Sequence, residues 1–177
     1  MRQVVRCLPS DSRLYRYWLE VQLAESRLKL AVILKNPSTA SAGRSDPTMG
    51  KVEAWALRRG FGSVVVVNLF ALRATEPAIL NQHSYARAVG PKNDAYIRKA
   101  VDTAGVVVAA WGNPNGVERG RYDRRIAGVL QIVDTRRLKV VEPLTQLGYP
   151  RHGLHWNGVA VIKHYDELRE GTNSLLP

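Results

Sequence analysis

Gly62-Ser63-Val64-Val65-Val66-Val67-Asn68-Leu69-Phe70-Ala71-Leu72-Arg73 is the stretch on which the fold turns. Four successive valines leave no polar face, so this strand has to be covered on both sides, as strands of a parallel sheet are. The run then stops at an amide, Asn68. Three further runs share this form. Residues 28–34 end in Lys35-Asn36-Pro37-Ser38-Thr39, and residues 105–110 end in Trp111-Gly112-Asn113-Pro114. Residues 137–141 end in Glu142-Pro143, with Gly148-Tyr149-Pro150-Arg151-His152 shortly after.

Helical patterns separate the runs. Asp46 caps a helix expected over 46–60, with Pro47 in its first turn and Gly60 at its end. Val52, Trp55, Ala56 and Leu57 give it an apolar face. A second helix begins near Pro91 and Asn93-Asp94 and stops before Gly105; a third covers 117–133. Residues 75–91 read as a long loop with one short helical turn. The N-terminal β-formers, 4–8 and 13–21, read as extended or hairpin structure leading to the first core strand, and 159–163 as a short strand. Strand and helix alternate, which predicts an α/β/α three-layer sandwich on a central, mainly parallel, four-stranded sheet, with residues 1–177 as one domain. Open sheets of this kind bind ligands outside the carboxyl ends of their strands. Asn36, Asn68 and His152 are therefore expected to meet in one pocket.

The chain has 177 residues, 45% of them apolar, enough for a full core. Its single cysteine, Cys7, excludes an internal disulfide and any cysteine-only metal or iron–sulfur site. No run reaches the ~20 apolar residues of a membrane span, and no leader pattern is visible. A cytoplasmic monomer without cofactor or metal is the expectation. Lysine and arginine number 26 against 15 acidic residues, a net charge of +11. That field attracts polyanions. Arginine dominates it, as suits phosphate recognition, and is densest through Arg119, Arg121, Arg124, Arg125, Arg136 and Arg137.

Among single residues, Asn36 is held at the sheet rim by Pro37, which cannot continue a ladder. Its amide either orients a water or forms an ordinary turn. Ser38 and Thr39 bind phosphate or cap the turn. Asn68, after four valines, needs partners for its amide; a nucleobase edge supplies them, as does a neighbouring loop. His152 is placed to donate to a developing oxyanion, or is a surface histidine. Asp46 reads as a cap with a lesser claim on catalysis. Phosphate loops, dinucleotide fingerprints and nucleophile elbows are missing from the sequence.

Two resemblances follow from these motifs. The set Leu34-Lys35-Asn36-Pro37-Ser38-Thr39-Ala40, Ser45-Asp46-Pro47-Thr48, Val67 to Pro77, Gly90-Pro91-Lys92-Asn93-Asp94 and Ala110-Trp111-Gly112 resembles a bacterial and phage family labelled a domain of unknown function. The order and strand context of the motifs also resemble the uracil-DNA glycosylase superfamily. There, Asn36-Pro37 matches the strand-end element that positions the attacking water, and Asn68 the amide presented to the base edge. Trp111-Gly112 matches a third strand end, and Arg151-His152-Gly153-Leu154 the loop that presents a histidine to the base carbonyl. Gly153 stands where that loop usually has proline. Ser38 stands where strict uracil enzymes carry a bulky tyrosine, which implies room beside C5 of a pyrimidine.

The resemblance implies a monofunctional DNA glycosylase that flips a 5-substituted pyrimidine from the stack. Asn36 and His152 are its expected catalytic residues. Pro37, Ser38, Thr39, Asp46, Asn68, Arg73, Trp111 and Arg151 are expected around the substrate. Arg73, Arg151 and the cluster Arg119, Arg121, Arg124 and Arg125 are the expected phosphate contacts on DNA. A binding module that has lost the chemistry, and an enzyme acting on free nucleosides or nucleotides, are the alternatives.

Overall fold

The computed structural model describes residues 2–10, 12, 14–38, 46–158 and 161–167. Its strands are β1 (Gln3–Leu8), β2 (Trp18–Gln22), β3 (Lys29–Leu34), β4 (Ser63–Asn68), β5 (Val106–Ala109), β6 (Leu138–Val141) and β7 (Ile162–His164). The α-helices are α1 (Pro47–Arg58), α2 (Tyr85–Val89), α3 (Asn93–Thr103) and α4 (Arg119–Ile132). One seven-stranded mixed sheet runs β1-β2-β4-β3-β5-β6-β7. The four runs identified in the sequence form its parallel centre, β4-β3-β5-β6.

The expected four-stranded sheet is therefore too small. β2 pairs antiparallel with β4 and carries β1 on its far side, while β7 pairs antiparallel with β6. Both edges of the parallel centre would otherwise present unpaired backbone groups. The N-terminal segment, expected to be extended, is part of the sheet itself. The loop expected over 75–91 holds a 3-10 helix, Pro77–Gln82, as well as α2.

The four valines of β4 show why the run is unbroken. Val64 and Val66 pack with Val52, Trp55 and Ala56 of α1, and with Trp156. Val65 and Val67 belong to the cluster that contains Ile97, Ala100 and Val101 of α3 and Tyr122 and Val129 of α4. All four are fully buried. Alternation sends each neighbour to an opposite helical face.

Just past β4 the chain is held by two buried polar side chains. Asn93 donates from Nδ2 to the carbonyls of Asn68 (3.0 Å) and Leu69 (2.9 Å). Arg125 donates from Nε to the Leu69 carbonyl and pairs through Nη2 with Asp94 at 2.6 Å. The Gly90 to Asp94 motif thus anchors the end of β4 to α3 and α4. Arg125 is 3% exposed, so it is a structural tie and not the phosphate contact expected of it. Replacing it by alanine should cost about 2–4 kcal/mol in urea unfolding, because a buried carbonyl loses a charged donor. A variant within 0.5 kcal/mol of the parent would show that the tie contributes nothing.

The rest of the arginine cluster is also largely engaged. Arg121 donates to the carbonyls of Leu80 and His83, each at 3.0 Å. Arg137 donates to Val101 and Ala104, and Arg136 pairs with Asp134. Arg119 pairs with Asp123 across one helical turn and lies over the Tyr149 ring. Arg124 stacks on Tyr85. Of the four expected contacts on α4, Arg119 and Arg124 are the exposed ones.

Candidate functional site

The carboxyl end of β3 and the amino end of α1 border a cavity of about 240 Å³. Asn36, Ser38, Asp46 and His152, expected together from the sequence, all line it. Lys35 and Arg16 line it as well, with Thr48, Thr75, Asn115 and His155 among the remaining polar walls.

Asn36 is fixed by its own donors. Nδ2 donates to the Ala74 carbonyl at 2.6 Å and to the Pro37 carbonyl at 3.2 Å. Two carbonyl acceptors settle which end of the amide carries hydrogen, so Oδ1 is the end left to accept from a water or a ligand. Pro37 is buried, and its carbonyl also accepts the Ala74 N–H at 3.0 Å. Proline therefore shapes the turn and does not touch the cavity. Arg73 donates to the Ser38 carbonyl at 3.1 Å and clips the same turn from outside. Thr39 lies outside the described residues.

Asp46 caps α1. Its Oδ1 accepts the Met49 N–H at 2.9 Å, and Pro47 follows in the first turn. It is the one carboxylate among the described lining residues.

His152 begins a 3-10 turn, Gly153–His155, in which its Nδ1 accepts the Leu154 N–H at 3.3 Å. An accepting Nδ1 puts the ring proton on Nε2. Burial, followed by the charge of Lys35 and the neighbouring His155, lowers the His152 pKa to about 4; Asp46 opposes the shift. The imidazole is thus a neutral donor at neutral pH. Two glycines make room for its loop. A Cβ on Gly112 would meet the His152 Cβ at 2.8 Å, and one on Gly153 would meet Val52 Cγ2 at 2.7 Å. The Trp111-Gly112 motif is thereby tied to His152. The glycine in place of the expected proline lets the turn settle on α1.

Besides Pro37 and Arg73, three more expected site residues stay outside the cavity lining. Trp111 is fully buried, packs edge-on against Tyr165, and gives its carbonyl to the Tyr122 hydroxyl at 3.0 Å. Arg151 is half-buried and contributes its carbonyl to Trp156 Nε1 at 3.3 Å. Asn68 neighbours Leu34, a lining residue, across the β3–β4 ladder. Yet Asn68 is fully buried, and neither its Oδ1 nor its Nδ2 has a partner. It does not reach the cavity in this structure.

Sequence reasoning missed Lys35 and Arg16. Lys35 is 4% exposed and lies 5.8 Å from the Tyr122 ring centroid; burial lowers its pKa to about 8. Arg16 is 2% exposed and is lowered to about 10 by burial and then by Arg73. A lysine directly between an apolar strand and Asn-Pro was a readable signal for the first. Arg16 carried no such signal: the Tyr15–Leu72 bridge that places it joins distant segments.

These features define a mixed α/β protein with a polar, cation-rich pocket at the carboxyl edge of its parallel strands. The chain belongs to the DUF1643 family, described as a protein of unknown function, whose model matches residues 16–154. Every lining residue of the cavity except His155 falls within that span. No curated protein and no solved structure matches the chain. Among the described residues, no helix is long and apolar enough to cross a membrane, and no cluster of three or more metal-ligating side chains occurs.

Proposed function

We propose that this protein is a DNA glycosylase with a uracil-glycosylase-like α/β/α layering, hydrolysing the N-glycosidic bond of a flipped, 5-substituted pyrimidine. The observation that carries the reading is the meeting of Asn36, Asp46 and His152 around one cavity. Water held by Asn36 Oδ1 attacks C1′ of the sugar, and the C1′–N bond breaks with its electron pair leaving on the base. An amide cannot take the water's proton, so it passes to Asp46, the carboxylate that shares the cavity. The neutral His152 donates from Nε2 to the base oxygen where charge develops. Ser38 leaves space beside C5. Because Asn68 is sealed away, reading of the base edge falls to the lining groups instead.

The test is incubation with DNA duplexes and single strands carrying uracil, mismatched thymine or 5-substituted uracils and cytosines. Alkali-labile breaks are scored and the freed base is identified by mass spectrometry. Release of one base class is expected. Bound DNA with no released base from any substrate would overturn the reading in favour of a binding module. A second reading, an enzyme on free nucleotides, is favoured by the two buried cations of the cavity, which suit a small charged ligand.

A further inference from the structure

We propose that Lys35 is an imine-forming nucleophile, whose amine attacks the C1′ aldehyde of an abasic deoxyribose and so adds strand cleavage to base release. The abasic sugar is the product of the base release proposed above, and this step rests on that reading for its substrate.

Lys35 directly follows β3 and lines the cavity together with Asn36 and His152. Its carbonyl accepts the Phe70 N–H at 2.9 Å, which fixes the backbone that carries the side chain. The residue is 4% exposed. Among the described residues its amine forms no ion pair; its contact is the Tyr122 ring, 5.8 Å away at the centroid. Tyr122 offers a ring and no anion. Its hydroxyl donates to the carbonyls of Trp111 (3.0 Å) and Gly112 (2.8 Å), and burial raises its pKa, so it stays a neutral phenol.

Such surroundings disfavour an ammonium. Burial lowers the Lys35 pKa to about 8, so roughly half of the amine is neutral at pH 8, against about one part in 300 for a lysine of ordinary pKa. The neutral amine is the form that attacks a carbonyl carbon. His152 lies within the field of Lys35, and both line the same cavity. While Lys35 attacks C1′, the neutral imidazole can donate from Nε2 to the aldehyde oxygen, where charge develops.

The reaction balances without oxidant or reductant. Nζ bonds to C1′, the aldehyde oxygen leaves as water with both amine protons, and an imine remains. The imine takes a proton from solvent, which makes C2′ acidic. Asp46, the one carboxylate among the described lining residues, receives the C2′ proton. A C2′–C3′ double bond forms as the C3′–O bond breaks, its electron pair leaving with the phosphate of the downstream strand. Water then hydrolyses the imine and returns the amine.

A duplex whose abasic site is formed beforehand tests this apart from base release. The protein is incubated with it at pH 8 and sodium cyanoborohydride, which reduces an imine to a stable secondary amine. The cross-linked peptide is mapped by mass spectrometry. An adduct on Lys35 is expected, and strand cleavage without alkali when the reductant is left out. A duplex with a tetrahydrofuran site, which has no aldehyde, should give neither. Lys35→Met and Lys35→Arg should each lower the adduct at least tenfold. Arginine keeps the charge, so its failure separates a nucleophile from a phosphate contact. The mapping uses the parent protein and holds even where a variant does not fold. No adduct, an adduct only on other amines, or Lys35→Arg trapping like the parent would each overturn the proposal. Base release from intact substrates with no adduct on the abasic duplex removes the imine step alone. An adduct on Lys35 without base release supports the lysine chemistry and overturns the glycosylase reading.

Discussion

Gly62→Ala is expected to abolish the folded state, at a cost above about 4 kcal/mol. A Cβ at this position would lie 1.6 Å from the Ser26 carbonyl oxygen and 2.5 Å from its carbon. Both are backbone atoms, so no side-chain rotation relieves the clash. Nor can Gly62 retreat. Its N–H donates to the Leu28 carbonyl at 2.9 Å, and its own carbonyl accepts from Leu23 (2.7 Å) and Ala24 (3.1 Å). Those contacts join the exit of β2, the entry to β3 and the start of β4. Gly50, inside α1 with nothing within 4 Å, is the matched control. Alanine there should stabilise by up to about 1 kcal/mol through helix propensity. Urea unfolding followed by circular dichroism compares the two. A cooperative Gly62→Ala transition at the parent's midpoint would show that the junction yields.

The cost at Gly62 was invisible in the sequence, where the residue reads only as the start of a strand. The same division runs through the whole fold. The four parallel strands were legible because each is an apolar run whose ends carry their own punctuation, Asn36-Pro37 and Trp111-Gly112 among them. The α1 boundary was legible because Asp46 and Pro47 act within one helical turn. The added segments read as extended structure, but their places in the sheet were not legible, since Leu19 opposite Val66 or Lys139 opposite His164 is a pairing of distant segments. Nothing local in either partner encodes it.

At the site, the sequence located some residues and misplaced others. Of Asn36, Asn68 and His152, expected in one pocket, Asn36 and His152 line the cavity, together with the helix cap Asp46. Asn68 ends β4 opposite Leu34, two residues short of the level of Asn36, and its side chain is sealed. The rim loop after β3 turns away at Pro37, whereas the chain after β4 continues through Leu69, Phe70 and Ala71, all fully buried. Arg125 reads as a surface cation in an arginine-rich helix, but the buried Leu69 carbonyl takes its donor. Charge density in sequence therefore overstated the free basic surface of α4. It understated the cavity, where Arg16, just before β2, and Lys35, just after β3, arrive from separate segments.

Asn36→Ala is expected to lower single-turnover base release by about 10²-fold, near 2.7 kcal/mol of barrier. The amide contributes position, since it has no basicity to lose. With Nδ2 anchored on Ala74 and Pro37, Oδ1 holds one direction without any freezing of rotamers at the moment of reaction. Removing it frees the water. The melting temperature should fall by only a few degrees, because the Pro37 carbonyl keeps its bond from the Ala74 N–H. Asn36→Asp separates positioning from base catalysis. A carboxylate there would face two carbonyl oxygens that now receive donors, so it must turn away or take up a proton. Neither form restores the geometry, and the aspartate variant should be as slow as the alanine variant and less stable. A faster aspartate enzyme would mean that the position tolerates a general base, and Asp46 would lose its role as proton acceptor. Full activity in Asn36→Ala would remove the water-positioning role altogether and leave leaving-group stabilisation by His152 as the source of the rate.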